Sequence, residues 1–171
     1  MKKGPVLGVD PGSVATGYGV IRQLDDGQTV VLGAGVIRTS TQRSFPDRLK
    51  HLYDSLCQII RDYHPSIAAF EQVFVAKNAG SALKLGHARA ALLMAAINNN
   101  LEIFEYSALE IKRAVVGYGM ADKRQVQDMV TLILKLDRRP PRDAADALAV
   151  ALCHIQSAEM DRLIRLEMSR Q

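Results

Sequence analysis

The run VLGVDPGSVATGYGVI, residues 6–21, joins a short apolar segment to a turn and then to a second β-rich segment. Val6 to Val9 is typical of a strand, and Asp10-Pro11-Gly12 must turn directly after it. Residues 16–21 and 29–37 are rich in β-branched residues and are punctuated by glycine, so they predict two more strands. We expect these three strands to form an antiparallel meander.

Beyond the meander, the pattern changes to alternating helices and strands. Residues 46–63 carry apolar side chains at helical spacing, and Ile67 to Phe70 predicts a fourth strand that ends at Glu71. A strand, helix, strand order makes the first and fourth strands parallel neighbours joined by a right-handed crossover. Further segments are predicted as helices at 78–98, 108–115 and 122–134, a strand at 102–105, and a last helix from Asp143. This order predicts an α/β fold with a mixed five-stranded sheet flanked by helices.

Composition indicates one globular domain, which we place at residues 1–157, followed by a charged tail at residues 158–171. No apolar run approaches the ~20 residues that span a bilayer, so a cytoplasmic protein is expected. Cys57 and Cys153 stand in apolar helical segments and are expected to be buried, reduced thiols. A net charge of +4 permits a polyanionic partner without requiring one.

Acidic residues stand at positions where they can converge. Asp10 and Glu71 end two strands predicted to be parallel neighbours, so both emerge at the carboxyl edge of the sheet, where open α/β sheets bind ligands. Asp143 and Asp146 are three residues apart, so both point to one face of the last helix. The alanines around this pair let the helix approach the sheet closely.

A carboxylate cluster of this kind predicts a divalent-metal site. Hard oxygen ligands suit Mg²⁺ or Mn²⁺, and two such ions about 4 Å apart can clamp a phosphodiester during hydrolysis. The set contains no histidine or thiolate, which disfavours zinc.

Each acid also has an ordinary interpretation. Asp10 is typical of a turn and Glu71 of a solvated strand end, while Asp143 suits a helix N-cap and Asp146 a first-turn acid. Sequence alone leaves these alternatives open.

Five segments, in order along nearly the whole chain, together resemble RuvC-type resolvases, which cut four-way DNA (Holliday) junctions. They are GVDPGSVATGYGVI (8–21), FEQVFVAKNAGSALKLGHAR (70–89), FEYSALEIKRAVVGYG (104–119), ADKRQVQ (121–127) and DAADALAVALCH (143–154). The resemblance implies a ribonuclease H-like fold and a Mg²⁺-dependent homodimer that serves homologous recombination and DNA repair. It implies symmetric nicks with 5′-phosphate and 3′-hydroxyl ends, a branch-migration complex as partner, and catalytic, metal-binding roles for the positions matching the family's acids: Asp10, Glu71, Asp143 and Asp146.

Basic and aromatic residues near these segments are candidates for DNA binding. Lys123 and Arg124 open a helix, where bound phosphates would use the free backbone N–H groups, although a solvated basic surface is the alternative. By resemblance Lys112 is a further basic contact, and Phe74 stacks on an unpaired base rather than packing in the core. Two other basic residues are grouped with these contacts: Lys77 and Arg142.

Small residues on the long helix predict a close contact. Ala82, Gly86 and Ala90 recur at helical spacing, and an interior glycine costs about 1 kcal/mol relative to alanine, which favours the approach of another backbone. That backbone belongs either to the chain's own sheet or, as the resemblance implies, to the two-fold mate of a dimer.

Three rival functions remain open at this point. The chain is alternatively another ribonuclease H-like nuclease that cuts hybrids or unbranched DNA, or a junction-binding module without catalysis. An actin-like nucleotide-binding protein is a third alternative, because residues 10–17 superficially resemble its phosphate-binding loop; the chain is too short for the two lobes of that fold.

Overall fold

The computed structural model describes residues 4–72 and 78–169, and this part of the chain forms five strands and five helices. The strands are β1 (Val6–Asp10), β2 (Ala15–Gln23), β3 (Thr29–Arg38), β4 (Ile67–Glu71) and β5 (Glu102–Tyr106). The helices are α1 (Phe45–Tyr63), α2 (Ala79–Asn98), α3 (Ala108–Val116), α4 (Lys123–Ile133) and α5 (Arg142–Met168).

The strands form one mixed sheet in the order β3-β2-β1-β4-β5. β1, β2 and β3 pair antiparallel, whereas β4 is parallel to β1 and to β5. The expected meander, the parallel crossover and the mixed five-stranded sheet are therefore confirmed. β1 lies at the centre, and its C-terminal end is next to that of β4.

The sheet is covered on both faces, which gives two apolar cores. One lies under α1 and α2 and includes Leu7, Val9, Leu52, Phe70 and Leu92, all inaccessible to solvent. The other lies under α3, α4 and α5. Its α5 segment is buried without interruption from residue 147 to residue 153, because this part of the helix runs across the middle of the sheet.

Element ends differ from the sequence prediction by one or two residues. The last helix begins at Arg142 and continues unbroken to Met168, so the predicted domain boundary at residue 157 falls inside α5 and stays a prediction. Cys57 and Cys153 are buried free thiols, as expected. Within the described chain, no helix is long and apolar enough to cross a bilayer.

Candidate active site

Two strand ends bring the first pair of acids together. Val9 of β1 is paired with Phe70 of β4, so the next residue of each strand, Asp10 and Glu71, emerges at the same edge of the sheet. Both residues are partly buried, and their carboxyl groups share a hydrogen bond. The expected neighbourhood of Asp10 and Glu71 is therefore present in the structure.

The first two turns of α5 supply the second pair: Asp143 lies in the first turn, whereas Asp146 is the fifth residue of the helix, so its interpretation as a first-turn acid is wrong. Asp146 and, most weakly, Asp143 act electrostatically on Asp10, and the backbone of Asp143 packs against Gly17, so the second pair lies near the first at the carboxyl edge of the sheet. Pro141 occupies the N-cap position of α5, and no side chain caps the helix. The interpretation of Asp143 as an N-cap is therefore wrong, because the helix begins one residue before Asp143 and this carboxylate lies within the first turn.

Glycines allow α5 to lie this close to the sheet. A Cβ on Gly8 would lie 2.0 Å from the carbonyl oxygen of Ala147, and a Cβ on Gly17 would lie 1.8 Å from that of Asp143. Separations below about 3 Å do not occur for real side chains, so any larger residue at either position would push α5 away from β1 and β2. The distance between the two pairs of acids is thus set by backbone packing.

Sequence reasoning missed the role of these glycines. Gly8 and Gly17 interrupt runs that otherwise predict strands, and a glycine inside a strand often marks the close approach of another backbone. The two glycines therefore indicate that another backbone approaches these strands, but they do not identify the element to which that backbone belongs.

Crowding of the acids changes their protonation. Burial, followed by the charges of Glu71 and Asp146, raises the pKa of Asp10 to about 8 from an ordinary value of 3.8. The pKa of Glu71 is also raised, first by burial and then by the charge of Asp146. The protein without metal therefore retains a proton between Asp10 and Glu71 at neutral pH.

A lysine supplies positive charge to the same point. The ammonium of Lys123, at the first position of α4, donates to Asp146 Oδ2 at 3.0 Å, and this contact raises the lysine's pKa. Its charge also opposes the raised pKa values of Asp10 and Glu71. The predicted capping box holds the start of α4, because Asp122 and Gln125 each accept from the other's backbone N–H at 2.8 Å.

The chemical type of the donor atoms suits a hard divalent cation. Four carboxylates supply oxygen ligands only, and the raised pKa of Asp10 and the Lys123 ammonium both indicate a site where positive charge is favourable. Among residues 4–72 and 78–169, however, no three Asp, Glu, His or Cys side chains stand in an arrangement that holds a metal as it is. Metal binding would therefore require the carboxylate side chains to rearrange from the positions described here.

The predicted DNA contacts differ in their placement. Lys112 is partly buried, and its charge lowers the pKa of Glu71, so it stands beside the acids. Arg124 is exposed at the start of α4, directly after Lys123. Arg142 is exposed at the start of α5, directly before Asp143. Phe74 and Lys77 lie outside the described residues.

The small-residue stripe on α2 is uncovered in the single chain. Gly86 and Ala90 are exposed, Ala82 is partly buried, and a Cβ on Gly86 would meet nothing within 4 Å. The buried face of α2 consists of other residues, namely Ala88, Leu92, Ala95 and Ala96. The chain's own sheet is therefore not the partner of Gly86.

Comparisons with known proteins agree with this architecture. Residues 6–154 match the family described as crossover junction endodeoxyribonuclease RuvC. A relative of that name from Saccharophagus degradans is 52% identical over 166 residues, which cover 97% of this chain and 94% of the relative. Another relative of that name, from Haemophilus influenzae Rd, is 54% identical over 154 residues, which cover 90% of this chain and 80% of the relative. The solved structure of Thermus thermophilus RuvC in complex with a Holliday junction substrate is similar at a TM-score of 0.86, with 32% identity and coverage of 92% of this chain and 96% of that one.

Proposed function

Because this chain belongs to the RuvC family of crossover junction endodeoxyribonucleases, we propose that it resolves four-way DNA junctions by hydrolysis at the acidic cluster described above. The observation that carries this proposal is the convergence of Asp10, Glu71, Asp143 and Asp146 from two strand ends and one helix. The family name identifies an endonuclease, and the acids supply a site that suits metal-assisted phosphodiester hydrolysis.

Membership of the family implies dependence on a divalent metal, and Mg²⁺, with Mn²⁺ as a substitute, fits the all-carboxylate donor set. We assign the four acids as ligands of two ions. When bound, these ions supply positive charge at the attacking and leaving oxygens of the phosphodiester. Asp10 and Glu71 would have to be deprotonated to hold the ions, since carboxylates bind a metal in their ionised form.

The chain's own residues position the substrate and balance charge. Lys123, released from Asp146, is placed to contact the phosphate that is cut or the one next to it, and Lys112 supplies a second cation beside Glu71. Hydrolysis that breaks the bond between phosphorus and the 3′ oxygen gives the proposed 5′-phosphate and 3′-hydroxyl ends.

Contacts farther from the acids hold the DNA. Arg124 and Arg142 are exposed at helix N-termini, where phosphates also meet free backbone N–H groups. We retain Phe74 and Lys77 as junction contacts on the grounds of sequence resemblance alone.

A homodimer explains how two nicks would be made symmetrically. Ala82, Gly86 and Ala90 form an uncovered stripe that a second copy of α2 can approach closely. Association with a branch-migration complex, a cytoplasmic location and roles in recombination and repair complete the proposal, and they rest on family membership.

A cleavage assay with three substrates tests the function. The protein is incubated with a four-way junction, a linear duplex and an RNA–DNA hybrid, each with Mg²⁺ and with EDTA. Paired nicks in the junction that need Mg²⁺ are expected. Preferential cutting of the hybrid would identify a different ribonuclease H-like nuclease, and tight binding without any product would identify a junction-binding module.

Asp10→Asn is the matched control for that assay. The substitution preserves shape and removes one ligand charge, so nicking is expected to be lost. Junction binding in EDTA should remain, because phosphate contacts and stacking are untouched. A fully active Asp10→Asn protein would exclude Asp10 from the mechanism.

A further inference from the structure

One threonine, four residues from the turn glycine, stabilises the turn that follows Asp10 through two hydrogen bonds. The hydroxyl of Thr16 donates to the carbonyl oxygen of Gly12 at 2.9 Å and accepts from the Gly12 N–H at 3.2 Å. A Cβ on Gly12 would lie 1.9 Å from the carbonyl oxygen of Ala15, so the turn is tightly folded on itself. These contacts fix its inner side.

A second threonine and a buried arginine hold the same turn from outside. The Thr39 hydroxyl is 3.0 Å from the carbonyl oxygen of Ser13 and 3.3 Å from that of Val14, and the Thr39 N–H donates to the Val14 oxygen at 2.9 Å. Arg48, on α1, donates from Nη2 to the Ser13 oxygen and from Nε to Thr39 Oγ1 at 3.3 Å. The turn at residues 11–14 is thus tied to β3 and α1.

Arg48 is an unusual residue to find at this place. It is only 8% exposed, and its partners in the described chain are a carbonyl, a hydroxyl and the ring of Phe45, whose centroid is 5.7 Å from the guanidinium carbon. No carboxylate pairs with it among the described residues. Burying a charge without a counter-charge is costly, so a purely structural position would favour an apolar side chain.

We propose that Arg48 is a positioning residue that acts through Ser13 to hold Asp10 in the acidic cluster. This inference rests on the metal-binding role proposed for Asp10. Mutual repulsion drives the four carboxylates apart, and the backbone of Asp10 can move away only if the turn that continues from it moves as well. Arg48 and Thr39 prevent that movement by fixing the turn at Ser13 and Val14.

The test compares metal dependence with DNA binding in Arg48→Met and Thr39→Val. Single-turnover nicking of a four-way junction is measured across a Mg²⁺ titration, and junction affinity is measured in EDTA. We expect the half-saturating Mg²⁺ concentration to rise roughly tenfold in Arg48→Met, the factor that corresponds to losing a hydrogen bond to a charged group, with junction affinity unchanged. Arg48→Lys keeps the charge but cannot bond both the Ser13 and the Thr39 oxygen. Its half-saturating Mg²⁺ concentration should therefore lie between those of wild type and Arg48→Met.

Two control variants on the same helix separate positioning from general loss of stability. Ile59→Ala removes buried side-chain volume from α1 without touching the turn, and Arg61→Met removes an exposed arginine. Both should leave the Mg²⁺ titration unchanged. Thr39→Val keeps the shape of the side chain and remains informative if Arg48→Met fails to fold.

Two results together would overturn the proposal. Thr39→Val would have the same half-saturating Mg²⁺ concentration as wild type, and Arg48→Lys would have the same value as Ile59→Ala. The result with Asp10→Asn distinguishes this failure from failure of the proposed function. An inactive Asp10→Asn protein together with unshifted Arg48 variants rejects the positioning role alone, whereas an active Asp10→Asn protein rejects the site itself.

Discussion

Gly17 lies directly opposite Asp10 in the antiparallel register of β1 and β2, and it is also the point where the backbone of Asp143 meets the sheet. One residue without a side chain therefore sets the spacing between a strand-tip acid and the helix that carries two more. The geometry of the acids depends on this contact as much as on the acids themselves.

Gly17→Ala is expected to displace the first turn of α5, because the new methyl group would overlap the carbonyl oxygen of Asp143. We expect a loss of stability of about 1–3 kcal/mol, as is typical of overpacking, and a fall in nicking of at least roughly 100-fold from misplaced ligands. Thermal unfolding and single-turnover cleavage measure the two effects. Ala34→Val, at an exposed position of β3, is the control; equal activity of both variants would show that α5 tolerates the shift.

The pH dependence of stability should reveal the crowded acids in the absence of metal. Because the folded-state pKa of Asp10 is raised to about 8, its contribution to stability is fully present below pH 3.8 and is lost as the pH rises through about 8. Asn cannot ionise, so in EDTA Asp10→Asn should become progressively more stable than wild type as the pH rises from 3.8 to about 8, and the difference should level off above that. Melting temperatures across this range give the result, and a constant difference would contradict the raised pKa.

Mg²⁺ provides the complementary measurement. A ligand that binds only the folded state raises its stability, so Mg²⁺ should raise the Tm of wild type at pH 8 and have much less effect on Asp10→Asn. An equal rise in both proteins would place metal binding elsewhere.

Lys123→Ala removes the ammonium that faces Asp146, Asp10 and Glu71. Nicking should fall by roughly 100-fold, since the role proposed for this cation is to stabilise the negative charge that develops on the phosphate. Folding should change little, because the lysine side chain is 63% exposed. Cleavage rates and melting curves for Lys123→Ala and Lys123→Arg provide the comparison. Undiminished cleavage by the alanine variant would show that Lys123 has no role in cleavage.

Arg124→Ala addresses DNA affinity. An exposed arginine that contacts one phosphate contributes to binding through counterion release, so its loss should weaken junction binding and reduce the salt-dependence slope by about 0.9. Binding isotherms at several salt concentrations measure the slope. The maximal nicking rate at saturating protein should be preserved, and a drop in that rate with an unchanged slope would move Arg124 from DNA binding to the chemical step.

Gly86→Arg tests the dimer. Among the described residues, nothing lies within 4 Å of a Cβ at this position, so the substituted chain should fold normally, whereas a second helix could no longer approach. Sedimentation should show a shift from dimer to monomer, and junction products should change from paired to single nicks. Gln58→Arg, at an exposed position of α1, serves as the control; a Gly86→Arg protein that stays dimeric would locate the interface elsewhere.

The order of strands and helices was predictable because each segment carries its own local signal. Apolar alternation, proline breaks and the Asp122–Gln125 capping box all act within a few residues, and the structure confirms them. The adjacency of Asp10 and Glu71 followed from the strand, helix, strand order, which favours parallel pairing of the two strands.

Contacts between distant elements were not predictable in the same way. The pairing of Lys123 with Asp146 and the hold of Arg48 on Ser13 join residues 23 and 35 positions apart, and neither has a periodic signature in the sequence. The small-residue stripe on α2 predicts the close approach of another backbone, which stays a prediction, and a single sequence could not say whether that partner was the chain's own sheet. Packing in three dimensions excludes the sheet.

The unbroken course of α5 makes it a molecular ruler. Met168 lies 22 residues beyond Asp146 on one helix, which at 1.5 Å per residue is a separation of about 33 Å. A fluorophore attached at Met168 would thus report its own distance to a dye on any chosen arm of a junction, measured from a point at a known separation from Asp146 along the helix. The orientation of each arm relative to the acids becomes measurable in solution by energy transfer, without altering a single residue near the chemistry.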